Sequence, residues 1–269
     1  FLFDPEKIHH FVFKLIRLSN AIPGVAVINK KIFGIKNKKL ERELFGLKFK
    51  NPVGIAAGFD KNAVLINQLE NYGFGFIEIG TATPKPQDGN PKPRMFRLKE
   101  DEALINRMGF NNIGVDAIVE NLKKKRTSLI IGGNIGKNTA TSNDNAIADY
   151  VYNFNALHDV VDYFVVNVSC PNVKNLTKLQ DTDFLTELLG ELKIINATKK
   201  VQRPILLKIA PNLDHNALDE IIELIANTGI DGVVATNTET SRDGLKTSKE
   251  AVEKIGNGGL SGKPVRERS

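Results

Sequence analysis

The pattern of apolar positions in this chain changes its period near residue 50. Before that point, apolar residues recur every three or four positions across 8–18 and again across 22–33, with Pro23 and Gly24 between the two stretches. This pattern predicts two short amphipathic helices joined by a turn. An alternating stretch around Gly46, at 43–50, predicts a small hairpin.

Beyond the hairpin, apolar runs of strand length alternate with helical patterns. The predicted strands occupy 53–57, 74–80, 129–135, 163–168, 205–209 and 232–236. The predicted helices between them occupy 63–72, 115–124, 145–157, 184–197 and 217–227. Strict alternation of this kind indicates a parallel sheet with right-handed crossovers, which is the α/β class.

The expected architecture is a (β/α)8 TIM barrel that follows the N-terminal amphipathic helical pair. Such a barrel needs eight strands, and six are visible here. We therefore expect the last two strands to be absent from this chain, which would make it a piece of a longer protein. The expected division is a helical segment at 1–40 and a barrel at 41–269, incomplete at its C-terminal end.

Charge is concentrated in the first 50 residues. They carry eleven Lys and Arg against four Asp and Glu, or +7, while the whole chain of 269 residues carries +6. Basic residues beside an apolar face favour a helix pair at a membrane surface over an arm that binds nucleic acid. Packing of the two helices on their own domain explains the pattern about as well. The chain has one cysteine, which excludes an internal disulfide framework.

Small and polar residues follow the predicted strands at their carboxyl ends, which is where β/α enzymes place their catalytic residues. Carboxamides offer both donors and acceptors, which suits a planar heterocycle edged with carbonyl and imide groups. A lysine within an apolar strand, Lys208, needs an electron-rich partner. The sequence has no metal-ligand spacing, no dinucleotide-binding glycine turn and no P-loop.

The single cysteine, Cys170, directly follows the strand at 163–168 in the run Asn-Val-Ser-Cys-Pro-Asn at 167–172. Pro171 cannot donate to a strand ladder, so the strand must end there. A lone thiol is most often an inert buried group. Its position at the carboxyl end of a parallel strand favours a role in catalysis, and both interpretations stay open on this evidence.

Several runs together resemble the dihydroorotate dehydrogenase family. They are Ala-Ala-Gly-Phe-Asp-Lys-Asn at 56–62, Pro-Lys-Pro-Arg-Met-Phe-Arg at 91–97, Asn-Arg-Met-Gly-Phe-Asn-Asn at 106–112, Gly-Gly-Asn-Ile-Gly at 132–136, the run at 167–172, Leu-Lys-Ile-Ala-Pro at 207–211, Thr-Asn-Thr at 236–238 and Gly-Gly-Leu-Ser-Gly at 258–262. The helical leader and the run at 106–110 resemble the membrane-associated, quinone-reducing class of that family, class 2.

The resemblance implies an FMN site and a dihydroorotate site, with no metal. FMN would be held by Ala57, Gly58, Lys61, Thr81, Asn134, Asn167, Lys208, Thr236 and Gly262. Dihydroorotate would be held by Lys61, Asn106, Arg107, Met108, Gly109, Phe110, Asn167, Asn172, Asn237 and Thr238. The catalytic base would be Cys170, where the quinone-reducing class usually has a serine. The neighbouring Ser169 points to the opposite face of a regular strand and is not an equivalent replacement.

The resemblance implies oxidation of dihydroorotate to orotate in de novo pyrimidine biosynthesis. Cys170 would take a proton from carbon 5 while the hydride on carbon 6 passes to FMN. A membrane quinone would then reoxidise FMN, and the enzyme would lie peripherally on the cytoplasmic face of the inner membrane, with no nucleic-acid partner. Two alternatives are a soluble, fumarate-dependent enzyme and a flavin-binding module without turnover.

Overall fold

The computed structural model describes residues 3–169 and 182–269. It begins with the expected helical pair, α1 at Pro5–Ala21 and α2 at Val25–Phe33. Asp4 caps α1, because its side chain accepts a hydrogen bond from the Lys7 amide at 2.8 Å. Strands β1, Arg42–Leu44, and β2, Leu47–Phe49, then form the expected antiparallel hairpin.

Five parallel strands form the centre of the molecule. They are β3 at Phe76–Ala82, β6 at Ile130–Ile135, β7 at Tyr163–Asn167, β8 at Ile205–Ile209 and β9 at Gly232–Ala235, and they are hydrogen-bonded in the order β3-β6-β7-β8-β9. The helices before, between and after them are α3 at Ile66–Leu69, α4 at Val115–Leu122, α5 at Ala146–Leu157, α6 at Thr182–Ala197, α7 at His215–Thr228 and α8 at Lys249–Ile255. The predicted alternation of strands and helices is confirmed from residue 63 onward.

The first predicted strand, at 53–57, is shorter than expected. It contributes one parallel bridge, between Ile55 and Ile77 of β3. Beyond Ile55 the segment stays beside β3 but the regular pairing ends, since the next hydrogen bond joins the Gly58 amide to the Gly80 carbonyl at 2.9 Å. The Ile55 bridge and the five strands together form six consecutive positions of a parallel β/α arc.

A second sheet was not predicted. Strands β4 at Met95–Leu98, β5 at Ala103–Asn106 and β10 at Gly259–Gly262 form an antiparallel sheet in the order β10-β5-β4. Each strand has only four residues, too few for a clear alternating pattern in the sequence. This sheet leads directly into the 106–110 turn, so it positions part of the candidate site.

The leader helices pack on the barrel through a few defined contacts. Phe13 and Ile16 of α1 lie against the main apolar core. The amides of Asn20 and Asn29 each donate to the Tyr72 hydroxyl at 3.3 Å, which joins both helices to the same ring. In the described part of the chain no single helix is long and apolar enough to cross a membrane. The two leader helices meet that criterion only jointly, with a bend of 112° between them.

Candidate active site

Side chains from three neighbouring parallel strands meet in one buried network at the carboxyl ends of these strands. Asn134 of β6 accepts at its amide oxygen from the Thr81 hydroxyl, at 2.6 Å, and from the Asn167 amide, at 3.3 Å. Asn167 also donates to Thr81 Oγ1 at 3.0 Å. All three side chains are buried. The structure therefore brings together three residues that the resemblance assigned to FMN.

The network continues to the end of β9. The Asn237 amide donates at 3.0 Å both to the amide oxygen of Asn167 and to the hydroxyl of Ser169. Ser169 in turn donates to the Lys208 carbonyl at 2.7 Å and is buried. The Ser169 hydroxyl is thus held between the backbone of β8 and the Asn237 amide. Cys170 and Asn172 lie outside the described residues.

Two buried ionisable side chains, Glu78 and Lys208, lie next to this network. Glu78 of β3 accepts at Oε1 from the Asn134 amide at 2.8 Å. Burial raises the pKa of the Glu78 carboxyl, and the nearby Lys208 charge and the Asn134 hydrogen bond oppose that rise. Burial and the Glu78 charge in turn raise the pKa of Tyr163. No hydrogen bond to the Lys208 ammonium is found within the described residues, which leaves it available to an electron-rich ligand.

The loop after the first barrel position approaches the end of β3 through its backbone. Besides the Gly58 hydrogen bond, the Gly80 amide donates to the Lys61 carbonyl at 3.1 Å. Gly58 has φ +104°, and a Cβ built on it would meet nothing within 4 Å, so open space lies beside this backbone. The Lys61 ammonium donates to the Asn111 side chain at 2.5 Å. Gly58 therefore lies along the end of β3 with one side open, and Ala57 precedes it in the chain.

The 106–110 turn is held by contacts on both sides. The Asn106 amide donates to the Gly259 carbonyl at 3.4 Å. The Arg107 guanidinium lies 4.6 Å from the centre of the Phe96 ring and donates to the carbonyls of Ile255 and Asn257, so it is already engaged by protein groups. The rest of the turn comprises Met108, Gly109 at φ +69° and Phe110 at φ +54°.

The remaining candidate residues follow β9 or lie on β10. Thr236 Oγ1 is 2.7 Å from the Ser269 hydroxyl. Thr238 Oγ1 is buried and has no hydrogen-bond partner among the described residues. Gly262 lies in β10 opposite Ala103, with φ +110°, and a Cβ there would lie 2.5 Å from the Glu102 carbonyl. The structure thus places Gly262 in the antiparallel sheet rather than at the end of a parallel strand.

The groups gathered here fit a flavin ring. The open backbone at Gly58, the Lys208 ammonium and the unsatisfied Thr238 hydroxyl offer a flat surface, a positive charge and a polar contact. The carboxamides of Asn134 and Asn167 offer donors and acceptors to ring carbonyl and imide groups. Among the described residues, no group of three or more His, Cys, Asp or Glu could hold a metal ion.

Sequence reasoning missed Glu78 and two leader residues. Glu78 interrupts an apolar strand as Lys208 does, so the same signal could have found it. Glu6 is buried against Arg94, 88 positions along the chain, and nothing local indicates that contact. His9 packs its ring on Phe59 with centroids 5.2 Å apart, directly beside the 57–61 loop.

Comparison with known proteins agrees with this geometry. The family model described as dihydroorotate dehydrogenase matches residues 39–269. The chain is 58% identical to the dihydroorotate dehydrogenase (quinone) of Christiangramia forsetii, over all of this chain and 78% of the relative. It is 43% identical to the protein of the same name from Thermobifida fusca, over 99% of this chain and 72% of the relative.

Solved structures agree as well. The ligand-free DHODH of Eimeria tenella matches with a TM-score of 0.86 and 35% identity, over 99% of this chain and 77% of that one. The same enzyme in complex with ferulenol matches with a TM-score of 0.84 and 34% identity, over 97% and 73%. The parallel arc with its amide network is thus part of a β/α barrel, and the chain belongs to the dihydroorotate dehydrogenase family.

Proposed function

We propose that this chain is a quinone-dependent dihydroorotate dehydrogenase that uses FMN to oxidise dihydroorotate to orotate in de novo pyrimidine biosynthesis. The observation that carries the proposal is the continuous amide network from Glu78 through Asn134 and Asn167 to Asn237, beside the Lys208 ammonium. Its relatives carry the same name, and the family is flavin-dependent.

FMN would be held by the residues that the resemblance assigns to it. The backbone at Ala57 and Gly58 would lie along one side of the ring, and Lys208 would stabilise negative charge on it. The polar edge of the ring would form hydrogen bonds with Thr81, Asn134 and Asn167. The other FMN-binding residues would be Lys61, Thr236 and Gly262. Bound FMN supplies the acceptor for the hydride from carbon 6 of dihydroorotate.

Dihydroorotate would lie between the 106–110 turn and the amide network. Its carboxylate and ring amides would be oriented by Asn167, Asn172, Asn237 and Lys61. The buried Thr238 hydroxyl, which has no hydrogen-bond partner among the described residues, would bond to the substrate. Cys170 would act as the base, taking the proton from carbon 5 as the carbon 5–carbon 6 double bond of orotate forms.

The leader would bring the quinone to this site. His9 and Phe13 of α1 stack with each other at 4.2 Å and both contact Phe59, within the loop that carries Gly58 and Lys61. A quinone ring bound against these aromatic rings would lie next to the loop that carries Gly58 and Lys61. We therefore assign 1–40 to a quinone-tunnel segment and 41–269 to the FMN-binding barrel.

The outer side of the leader would lie on the membrane. Its large apolar side chains are unusually exposed for a folded domain. These are Phe11, Leu15, Leu18, Ile22, Val27, Ile28, Ile32, Phe33 and Ile35. Lys14, Arg17, Lys30 and Lys31 lie among them in the chain and would meet anionic headgroups. We propose peripheral attachment to the cytoplasmic face of the inner membrane.

Anaerobic mixing tests the reaction. The flavin absorbance of the FMN-loaded protein should bleach when dihydroorotate is added and return when a quinone is added, but not when fumarate is added. Return with fumarate alone would favour the soluble type of enzyme. No bleaching would favour a flavin-binding module without turnover.

Flotation with lipid vesicles tests the attachment. The parent should float with vesicles that contain phosphatidylglycerol, and a variant with Leu15→Gln and Leu18→Gln should float less. Leu218→Gln, at an exposed apolar position on α7, is the matched control and should float like the parent. Equal flotation of all three proteins would refute a membrane role for this helix face.

A further inference from the structure

Arg94 connects the leader helix to a loop of the barrel. Its guanidinium donates from Nη2 to Glu6 Oε1 at 2.7 Å and from Nε to Glu6 Oε2 at 3.1 Å, a two-point contact with helix α1. The remaining nitrogen, Nη1, donates to the carbonyls of Asp88, at 2.6 Å, and Asn90, at 2.9 Å. One planar group thus holds the helix and the loop in a fixed relation.

This ion pair is buried at both ends. Glu6 and Arg94 are each 6% exposed. Burial would raise the pKa of the Glu6 carboxyl, but the Arg94 hydrogen bond and charge, with a contribution from Lys92, outweigh it and lower the pKa. Glu6 is therefore ionised at neutral pH. Removing either partner would leave an uncompensated buried charge, which is strongly destabilising where it occurs.

From Arg94, two backbone contacts lead to the 106–110 turn. The Arg107 amide donates to the Arg94 carbonyl at 2.9 Å, and the Asn90 amide donates to the Met108 carbonyl at 3.1 Å. Between them the chain is tightly packed, because a Cβ on Gly89 would lie 2.1 Å from the Met108 carbonyl. The turn cannot keep this position if the 88–90 loop moves.

We propose that Arg94, paired with Glu6, is a positioning residue for dihydroorotate, and that it couples the seating of helix α1 to the shape of the 106–110 turn. The inference rests on the proposed function, in which this turn holds the substrate. With α1 seated, the turn is held ready for dihydroorotate; with the ion pair broken, substrate and product bind more weakly. The helix that serves the quinone thereby also governs the affinity for dihydroorotate.

The test uses Glu6→Gln and Glu6→Asp in the FMN-loaded chain. Glu6→Gln removes the charge, and Glu6→Asp keeps the charge on a shorter side chain. If one variant fails to fold, the other still tests the proposal. Lys92→Gln is the matched control, because exposed Lys92 contacts the same carboxylate at 3.3 Å without joining α1 to the turn. Titration followed by flavin absorbance gives the dissociation constant of orotate. Anaerobic flavin reduction gives the apparent dissociation constant of dihydroorotate and the limiting rate of reduction.

Both Glu6 variants should bind orotate and dihydroorotate more weakly than the parent, by about 5-fold or more, which is the lower end of the usual range for coupled sites. Their limiting rate of flavin reduction should stay within about 2-fold of the parent rate. Lys92→Gln should match the parent in every readout. A Glu6 variant with a lower thermal midpoint but unchanged orotate affinity would overturn the inference and leave the pair a stability contact only. A parent protein that binds no orotate would instead refute the proposed function.

Discussion

The side-chain nitrogen of Asn134 donates to Glu78 Oε1 at 2.8 Å, and this contact determines which way the neighbouring amides face. Because Glu78 Oε1 accepts from the Asn134 nitrogen, the Asn134 oxygen turns toward Thr81 and Asn167. Asn167 then presents its nitrogen to Asn134 and its oxygen to Asn237. The buried Glu78 side chain thereby orients three carboxamides at the site.

Asn134→Ala should weaken both flavin and orotate binding. It leaves the Glu78 carboxylate and the Thr81 hydroxyl without their amide partner, which also costs stability of about 1–3 kcal/mol per unsatisfied buried group. Flavin content after purification, orotate titration and thermal unfolding measure the three effects. Asn155→Ala, at an exposed position of α5, is the control. Parent-like flavin content and orotate affinity would contradict a role for Asn134 in the site.

Lys208→Met should lower flavin occupancy or slow flavin reduction severely. Methionine keeps the length of the side chain but removes the charge that would stabilise the reduced, anionic ring. Flavin content and the anaerobic rate of bleaching by dihydroorotate test this, with Lys123→Met on the exposed side of the barrel as the control. Normal occupancy together with a normal rate would make Lys208 a structural residue.

Cys170→Ala should slow flavin reduction by roughly 100-fold or more, the scale for losing a positioned base. Cys170→Ser should keep activity but move its pH dependence upward, because a hydroxyl is less acidic than a thiol. Anaerobic reduction rates from pH 6 to pH 10 separate the variants. If the alanine variant reduced flavin at the parent rate, the base would lie elsewhere.

His9 should make the seating of α1 sensitive to acid. Burial, with the charges of His10 and Lys61, lowers the pKa of the His9 imidazole from its usual 6.5. The folded protein therefore favours neutral His9, so its contribution to stability is present above pH 6.5 and is lost as the pH falls through the lowered pKa. The thermal midpoint of the parent should fall relative to that of His9→Phe between pH 7.5 and pH 5. A difference that does not change with pH would exclude this role.

Much of the site was predictable because parallel strands place their carboxyl ends together. Asn134, Asn167 and Asn237 each follow an apolar run, so their convergence follows from the alternation of strands and helices alone. Contacts across long separations were not predictable. Glu6 lies on the polar face of an amphipathic helix, where a solvent-exposed glutamate is the ordinary expectation. The length of the strand at 53–57 was overestimated because its apolar pattern does not reveal that regular pairing with β3 ends after Ile55.

The buried pair of Glu6 and Arg94 also constrains how such a chain can evolve. A descendant that lost the leader but kept arginine at this position would lose the carboxylate that pairs with its guanidinium. The 88–90 loop would then be bonded to an arginine without the helix that the arginine is fixed to. Loss of the helix and replacement of the arginine should therefore occur together.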